Sequence, residues 1–411
     1  MCIRDRSQRD DAQRKRLMDA FKKQAPELAS SRALLDDARK SVADYEASLP
    51  RCIVTERGEP RTVRVLPRGN WMVETGDVMQ PMLPVALSSG YNAPKRTLSR
   101  LDLADWLLAP ENPLTTRVVM NRLWKQFFGA GLSKVLDDLG AQGEPPSNPA
   151  LLDWLACEFR DSGWNTKHMV RLIVNSQAYR RSSVAPRDLV SRDPDNRLLA
   201  RQSRWRIDAE LVRDNALALA GLLVLDVGGP SVRPYQPDGY WENLNFPQRG
   251  YDASNGPGQY RRGLYTWWQR SFVHPSMLAF DAPTREECAA DRSRSNIPQQ
   301  ALVLLNDPSY VEAAKAFAAR ILRHAPADDA SRIRWAWNQA LQRPPSAAEL
   351  ETLSRLLQRQ RADYRADTDS ARAFVATGQW KAPAGMDPAD LAAWTDLARA
   401  LLNLHETITR S

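Results

Sequence analysis

PLTTRVVMNRLWKQFFG, residues 113–129, reads as one helix: proline at its start, no breaker within, and glycine to stop it. Arg117, Asn121, Trp124 and Phe128 fall at i, i+4, i+7 and i+11 and share one face. Two polar groups on an aromatic stripe predict an inward face that holds an arginine and an asparagine. A buried guanidinium has to be paired, and Asp137, Asp138 and Asp153 are the nearest carboxylates in sequence. Arg117 and Asn121 are therefore expected to be buried and paired with a carboxylate from 137–153 or 206–214. Such a pair serves either as an anion clamp or as a structural network fastening helix to loop.

The same punctuation recurs outward from this helix. Asn148-Pro149 and Asp307-Pro308 each place a capping side chain before a proline at the first helical position. Asn165 or Thr166 caps a helix carrying Met169, Leu172 and Ile173. Residues 207–223 form a further helix, closed by Asp226 and the Gly228-Gly229-Pro230 break. Ser346–Glu349 is a capping box, and Asp387-Pro388 opens a last helix that runs to about Ile408. Residues 7–48 read as one or two exposed helices. Residues 51–90, with β-branched runs between Gly and Pro, read as a hairpin or extended arm. The expected fold is mainly α: an irregular multi-helix domain at 96–411, with a long aromatic-rich loop insertion at 226–298. A helical linker and small β arm precede it at 7–95. Met-Cys-Ile-Arg-Asp-Arg, residues 1–6, resembles translated sequencing adapter and is set aside.

With 411 residues, 43% hydrophobic and 26% charged, the chain has the balance of a folded globular protein. No run of 18 apolar residues suits a membrane span. The net charge of +8 admits an anionic partner. Its cations are scattered, however, and 47 of the 57 are arginine, as a GC-rich genome also produces. Nucleic acid is thus a disfavoured partner, because such a surface clusters its charge.

Cys2, Cys52, Cys157 and Cys288 form no CxxC or CxxCH, and His168, His274, His324 and His405 stand far apart. These spacings point to no metal and no cofactor held by the chain itself, and they leave the state of the cysteines open. Phosphate-loop, GxSxG and HExxH motifs are missing too. The one arrangement suited to acid–base chemistry is Glu210 and Asp214, four apart on a helix, where like charge raises one pKa. The alternative is that Arg206 and Arg213 neutralise both acids in a helix-face ion network.

Eleven of the chain's 32 aromatic residues lie in 235–280. A long irregular segment needs rings to bury area without repeating structure. The functional alternative leaves two or three exposed to stack on a ligand, with Trp241 and Trp267 first in line. Arg261, Arg262 and Asp238 would then supply hydrogen bonds.

The strings from Leu103 to Phe159, from Gly163, RIDAELVRDNALALAGLL from Arg206, YRRGLYTWWQRSFVHPSMLAFDAP from Tyr260 and SNIPQQALVLLNDP from Ser295 resemble, in order, the PSD-one family of planctomycete-type proteins. This is a C-terminal domain of unknown function, and the resemblance spans about residues 50–408. Matching positions include Asn121, Arg122, Asp138, Asp153, Arg206, Glu210, Arg213, Asp214, Arg262 and Asp281. The family carries no established reaction, so no catalytic residue is transferred. The resemblance implies an exported protein of polysaccharide-degrading bacteria, with upstream domains of the same polypeptide that include a c-type cytochrome module. Haem is expected only there. Asn148, and His405 with Thr407, depart from the family's strings, and the first departure removes a histidine.

The expected function is a structural and recognition module with polysaccharide as candidate ligand. Its candidate binding residues are Arg117, Asn121, Arg122, Asp138, Trp241, Arg261, Arg262 and Trp267. One rival is a hydrolase using Glu210 and Asp214. Another, an anionic-polymer or nucleic-acid binder, needs a contiguous basic face.

Overall fold

The computed structural model describes residues 9–56, 58–237, 239–240, 250–270, 272–323 and 328–410, with the backbone of residue 324. It is mainly α, with fifteen α-helices and two small antiparallel sheets among the described residues. The chain divides into two compact units, one ending at Pro81 and one beginning at Met82. The stretch 1–6 lies outside the described residues.

In the first unit, α1 (Asp11–Gln24) is capped by Asp10, whose carboxylate accepts from Gln13 N at 2.7 Å. α2 (Ala29–Ser48) follows. β1 (Val63–Arg64) pairs antiparallel with β2 (Val78–Met79), which is the expected β arm. Ala25 alone is buried among the unit's described residues.

The second unit opens with α3 (Arg100–Leu108), started by a Ser99/Asp102 capping box with Arg96 bidentate on Asp102. α4 (Thr115–Phe128) begins two residues later than Pro113 suggests. The Asn112 side chain takes the amides of Leu114 and Thr115 and so sets the start. It stops at Gly129, whose φ of +79° is the left-handed conformation that glycine adopts at low cost. Asn148 caps α5 (Pro149–Asp161) and Asn165 caps α6 (Thr166–Asn175), as their side-chain signals indicate. Met120, Trp124, Phe128, Leu155, Phe159, Met169 and Ile173 of these helices form one apolar cluster.

A short α7 (Arg187–Arg192) leads to β3 (Trp205–Arg206) and α8 (Ala209–Ala220), the latter ended by Gly221 at φ +72°. The insertion carries α9 (Pro275–Ala279). Then come α10 (Pro298–Asn306), α11 (Pro308–His324), α12 (Asp329–Leu341), α13 (Ala347–Ala366), α14 (Thr368–Val375) and α15 (Pro388–Leu402). The last helix stops six residues short of Ile408. There the Thr407 hydroxyl caps the Leu401 carbonyl at 2.6 Å, and β4 (Thr409–Arg410) leaves to pair with β3.

The main core is alanine-rich α11 and α15 packed on α8 and α13, with Phe317 and Trp394 fully buried between them. Burying each such ring stabilises by about 2–3 kcal/mol. Buried Lys315 of α11 is tolerated because its ammonium caps the carbonyls of Val375, Thr377 and Trp380 at 2.6–3.1 Å, where α14 ends. Beside it Glu312 accepts from the hydroxyls of Tyr235 and Tyr260 and from Trp380 N. This network ties the insertion to the helical core.

Candidate functional site

α8 is where the acids of the sequence meet the insertion. Glu210, Arg213 and Asp214 are all buried. Each carboxylate is held by arginine, though not by the ones on or beside its own helix. Glu210 Oε1 accepts from Arg285 Nη2 at 3.1 Å and Oε2 from Arg292 Nη1 at 2.7 Å. Asp214 accepts from Arg262 Nε at 2.9 Å and Gly263 N at 2.6 Å. Arg206 turns away to Asp281 Oδ2 at 2.6 Å, and Arg213 donates to the carbonyl of Gln259. The expected Arg206/Arg213 network is thus replaced by arginines from the loop 256–295. That loop runs across the helix and can point guanidinium groups straight at the carboxylates.

Burial works to raise the Glu210 pKa. The hydrogen bonds and charge of Arg292, aided by Arg285, outweigh it and hold the carboxyl below its ordinary value. Glu210 is an ionised anchor, Asp214 is held by its bonds to Arg262 and Gly263, and the arrangement suits fastening the insertion better than moving a proton.

Arg261 is also committed. It donates to the carbonyls of Pro230, Asp226 and Gly228 and stacks 3.7 Å above Tyr265, so it pins the Gly-Gly-Pro break. Arg262, tied to Asp214, keeps a part-exposed side chain.

Of the eleven rings in 235–280, every described one is buried or half-buried. Trp241, Phe246 and the Asp238 expected beside them lie outside the described residues. Several rings have structural hydroxyl or indole bonds. Tyr240 donates to the Val273 carbonyl and Trp268 to the Pro283 carbonyl. Trp267 is half-buried and has a different neighbour. The Arg233 guanidinium lies 4.6 Å from its ring centroid and 5.8 Å from that of Tyr251, the two rings being 6.2 Å apart. Arg233 has no carboxylate partner among the described residues. Gln259, almost wholly buried, holds its backbone by donating to the Arg233 carbonyl at 3.2 Å. Sequence reasoning passed over Arg233, Arg285 and Arg292. The signal for Arg233 was its place at the head of the aromatic segment.

The residues on and around α4 do not assemble into one site. Arg117 does pair with Asp153, at 2.7 Å, but its side chain is 35% exposed rather than buried. It sits in the first turn, short of the apolar cluster. Asn121 is buried at 1% exposure, yet its partner is not a carboxylate. It exchanges two hydrogen bonds with the backbone of Ser133, at 2.8 and 3.0 Å. A side-chain amide matches a peptide group in both donor and acceptor, which a carboxylate does not. Arg122 is exposed, and Asp138 closes a turn on Gly140 N at 2.7 Å.

Among the described residues no group of three His, Cys, Asp or Glu side chains is placed to hold a metal, and no helix is long and apolar enough to cross a membrane. Cys52, Cys157 and Cys288 are free and exposed. No curated protein and no solved structure shows a significant match to the chain. The family described as PSD1, protein of unknown function (DUF1553), matches residues 99–357, from the cap of α3 into α13. That is well over half of the sequence, in the unit that holds α8 and the insertion, and the chain belongs to the PSD1 family.

Proposed function

We propose that the unit beginning at Met82 is a recognition module that takes an anionic polysaccharide against Arg233, Tyr251 and Trp267. The supporting observation is the Arg233 guanidinium, set over two rings with no carboxylate partner among the described residues. A sugar face packs on a flat ring, and a sulfate or uronate group offers the oxygens a guanidinium prefers. The clasped state of Glu210 and Asp214 favours binding over hydrolysis at α8. Export, and a place downstream of a c-type cytochrome module, belong to the same proposal and rest on the family resemblance.

The test is affinity electrophoresis and calorimetry with sulfated, uronate-rich and neutral polysaccharides, on the wild type, Arg233→Ala and Trp267→Ala. Binding of the acidic polymers should weaken about tenfold or more in each variant and fall with added salt. Equal binding by the variants, or a preference for the neutral polymer, rejects the reading.

A further inference from the structure

A pocket of about 130 Å³ opens between the end of α4, the turn after it and the loop 193–203. Leu199, part-exposed, and Ala130, exposed, present its apolar surface. Behind them stand Trp124 and Phe128, stacked with ring centroids 4.1 Å apart. Lys134, Ser147, Asp195 and Ser203 are exposed or part-exposed and form the rim.

The loop 193–203 is built rigidly around this opening. Asp193 accepts from the amides of Arg197 and Leu198 at 2.8 and 2.9 Å. Asn196, 6% exposed, donates to the Arg201 carbonyl at 2.7 Å and to Ser203 Oγ at 3.1 Å. Asn196 and Leu199 hold φ of +52° and +55°. Asparagine enters this region readily, but a bulky leucine seldom does. The hydrogen bonds on either side thus keep Leu199 over the pocket against its own preference. Backbone held in this way by its surroundings gathers at ligand sites, where it fixes a shape in advance.

The rim is polar without net charge. Lys134 Nζ and Asp195 Oδ2 lie 3.9 Å apart, too far for a hydrogen bond, with side chains 60% and 68% exposed. Arg197, the remaining charge in the lining, is matched by Glu144 at 3.0 Å. Ser203 Oγ accepts from Asn196 and keeps its own proton to donate. An ammonium, a carboxylate and hydroxyls around an apolar wall suit a ligand with hydroxyls at its edge and C–H groups on its face. The balance of charge favours a neutral one. The volume sets the size, since a cavity of about 150 Å³ admits one six-membered ring.

We infer that this pocket takes a single neutral pyranose unit, as found at the end of a glycan chain. Its hydroxyls meet Asp195, Lys134 and Ser203, and its C–H face lies on Leu199 and Ala130. None of these residues belongs to the Arg233 site, and the inference is independent of that reading.

The experiment follows the Leu199 methyl signals by NMR in leucine-labelled full-length chain. The titrants are the methyl pyranosides of glucose, galactose, mannose, xylose and fucose. Sorbitol, which has the hydroxyls without the ring, and cyclohexanol, which has the ring without most of the hydroxyls, serve as comparisons. At least one pyranoside should give saturable shifts, with both comparison compounds at least about tenfold weaker. Asp195→Ala, a change at an exposed side chain, should lower affinity about tenfold, with an unchanged melting temperature confirming the fold. Asp195→Asn serves the same purpose if the alanine variant melts early. Trp267→Ala should leave this binding intact. Failure of all five pyranosides to saturate, an equal response to sorbitol or cyclohexanol, or full affinity without Asp195 overturns the assignment.

Discussion

His274 Nε2 lies 2.8 Å from the carbonyl oxygen of Tyr235, and its Nδ1 lies 2.9 Å from the Ser276 hydroxyl. A carbonyl can only accept, so Nε2 carries the proton and Nδ1 accepts from Ser276. The neutral ring is fully satisfied, and a charged one would make the Ser276 hydroxyl turn round to accept. Burial, with the Arg213 charge added, lowers the pKa from 6.5 to about 4. The unfolded chain therefore takes up this proton first. Stability is intact above pH 6.5, falls as the pH drops towards 4, and stops falling there. Between pH 7 and 5 the loss should be about 2 kcal/mol. Urea unfolding of wild type and His274→Asn over that range checks it. Parallel slopes would show that the histidine is not the source.

Glu210 is clasped by two arginines, and removing it leaves both without their acceptor. Glu210→Ala should lower stability by about 2–4 kcal/mol, as deleting one member of a buried ion group does. Its depressed pKa means the clasp is present at neutral pH and is lost as the pH falls below the usual glutamate value of 4.5. Chemical denaturation at pH 7 gives the measurement. A variant as stable as wild type, or more so, would point to a strained acid of the kind catalysis uses.

Much of the helical frame was legible because its signals are local. Asn148, Asn165, Ser346 and Asp387 all cap the helices their positions announce. The misread ends share one cause, a tertiary partner outside the sequence window. Asn112 delays α4, and Thr407 with the β3–β4 pair ends α15 early. The site was less legible for the same reason. That Glu210 and Asp214 would be neutralised by arginine follows from the cost of burial. Which arginines do it depends on the path of 256–295, a segment without periodicity. Trp267 could be picked out by composition, whereas Arg233 gains its meaning from a contact 34 residues away in sequence.

On α4 the partners seen in space reverse the expected ranking of two substitutions. Arg117→Ala removes a part-exposed ion pair and should lower stability by only about 0.5–1 kcal/mol. Asn121→Ala strands the buried amide and carbonyl of Ser133 and should cost about 2–3 kcal/mol. Melting curves of the two variants side by side decide it, and a larger effect from Arg117 would contradict the geometry.

Gly263 marks the closest approach of the insertion to α8. Its amide donates to Asp214 at 2.6 Å, and a Cβ built there would meet Glu210 Cα and its carbonyl oxygen at 2.7 Å. Real Cβ atoms do not come so near, and the obstacle is helix backbone, which cannot swing aside as a side chain can. Gly263→Ala must therefore push 256–266 away from the helix and loosen both the Gly263 and Arg262 bonds to Asp214. The expected loss is about 1–3 kcal/mol from overpacking. Hydrogen exchange should also quicken in 256–266 while the amides of α15, which packs chiefly on α11 and α13, keep their protection. Gly258→Ala is the control, because its nearest neighbour is the Ser254 side chain at 3.3 Å. Equal stability of the two variants would mean that the insertion does not bear on α8 as closely as the 2.7 Å approach requires.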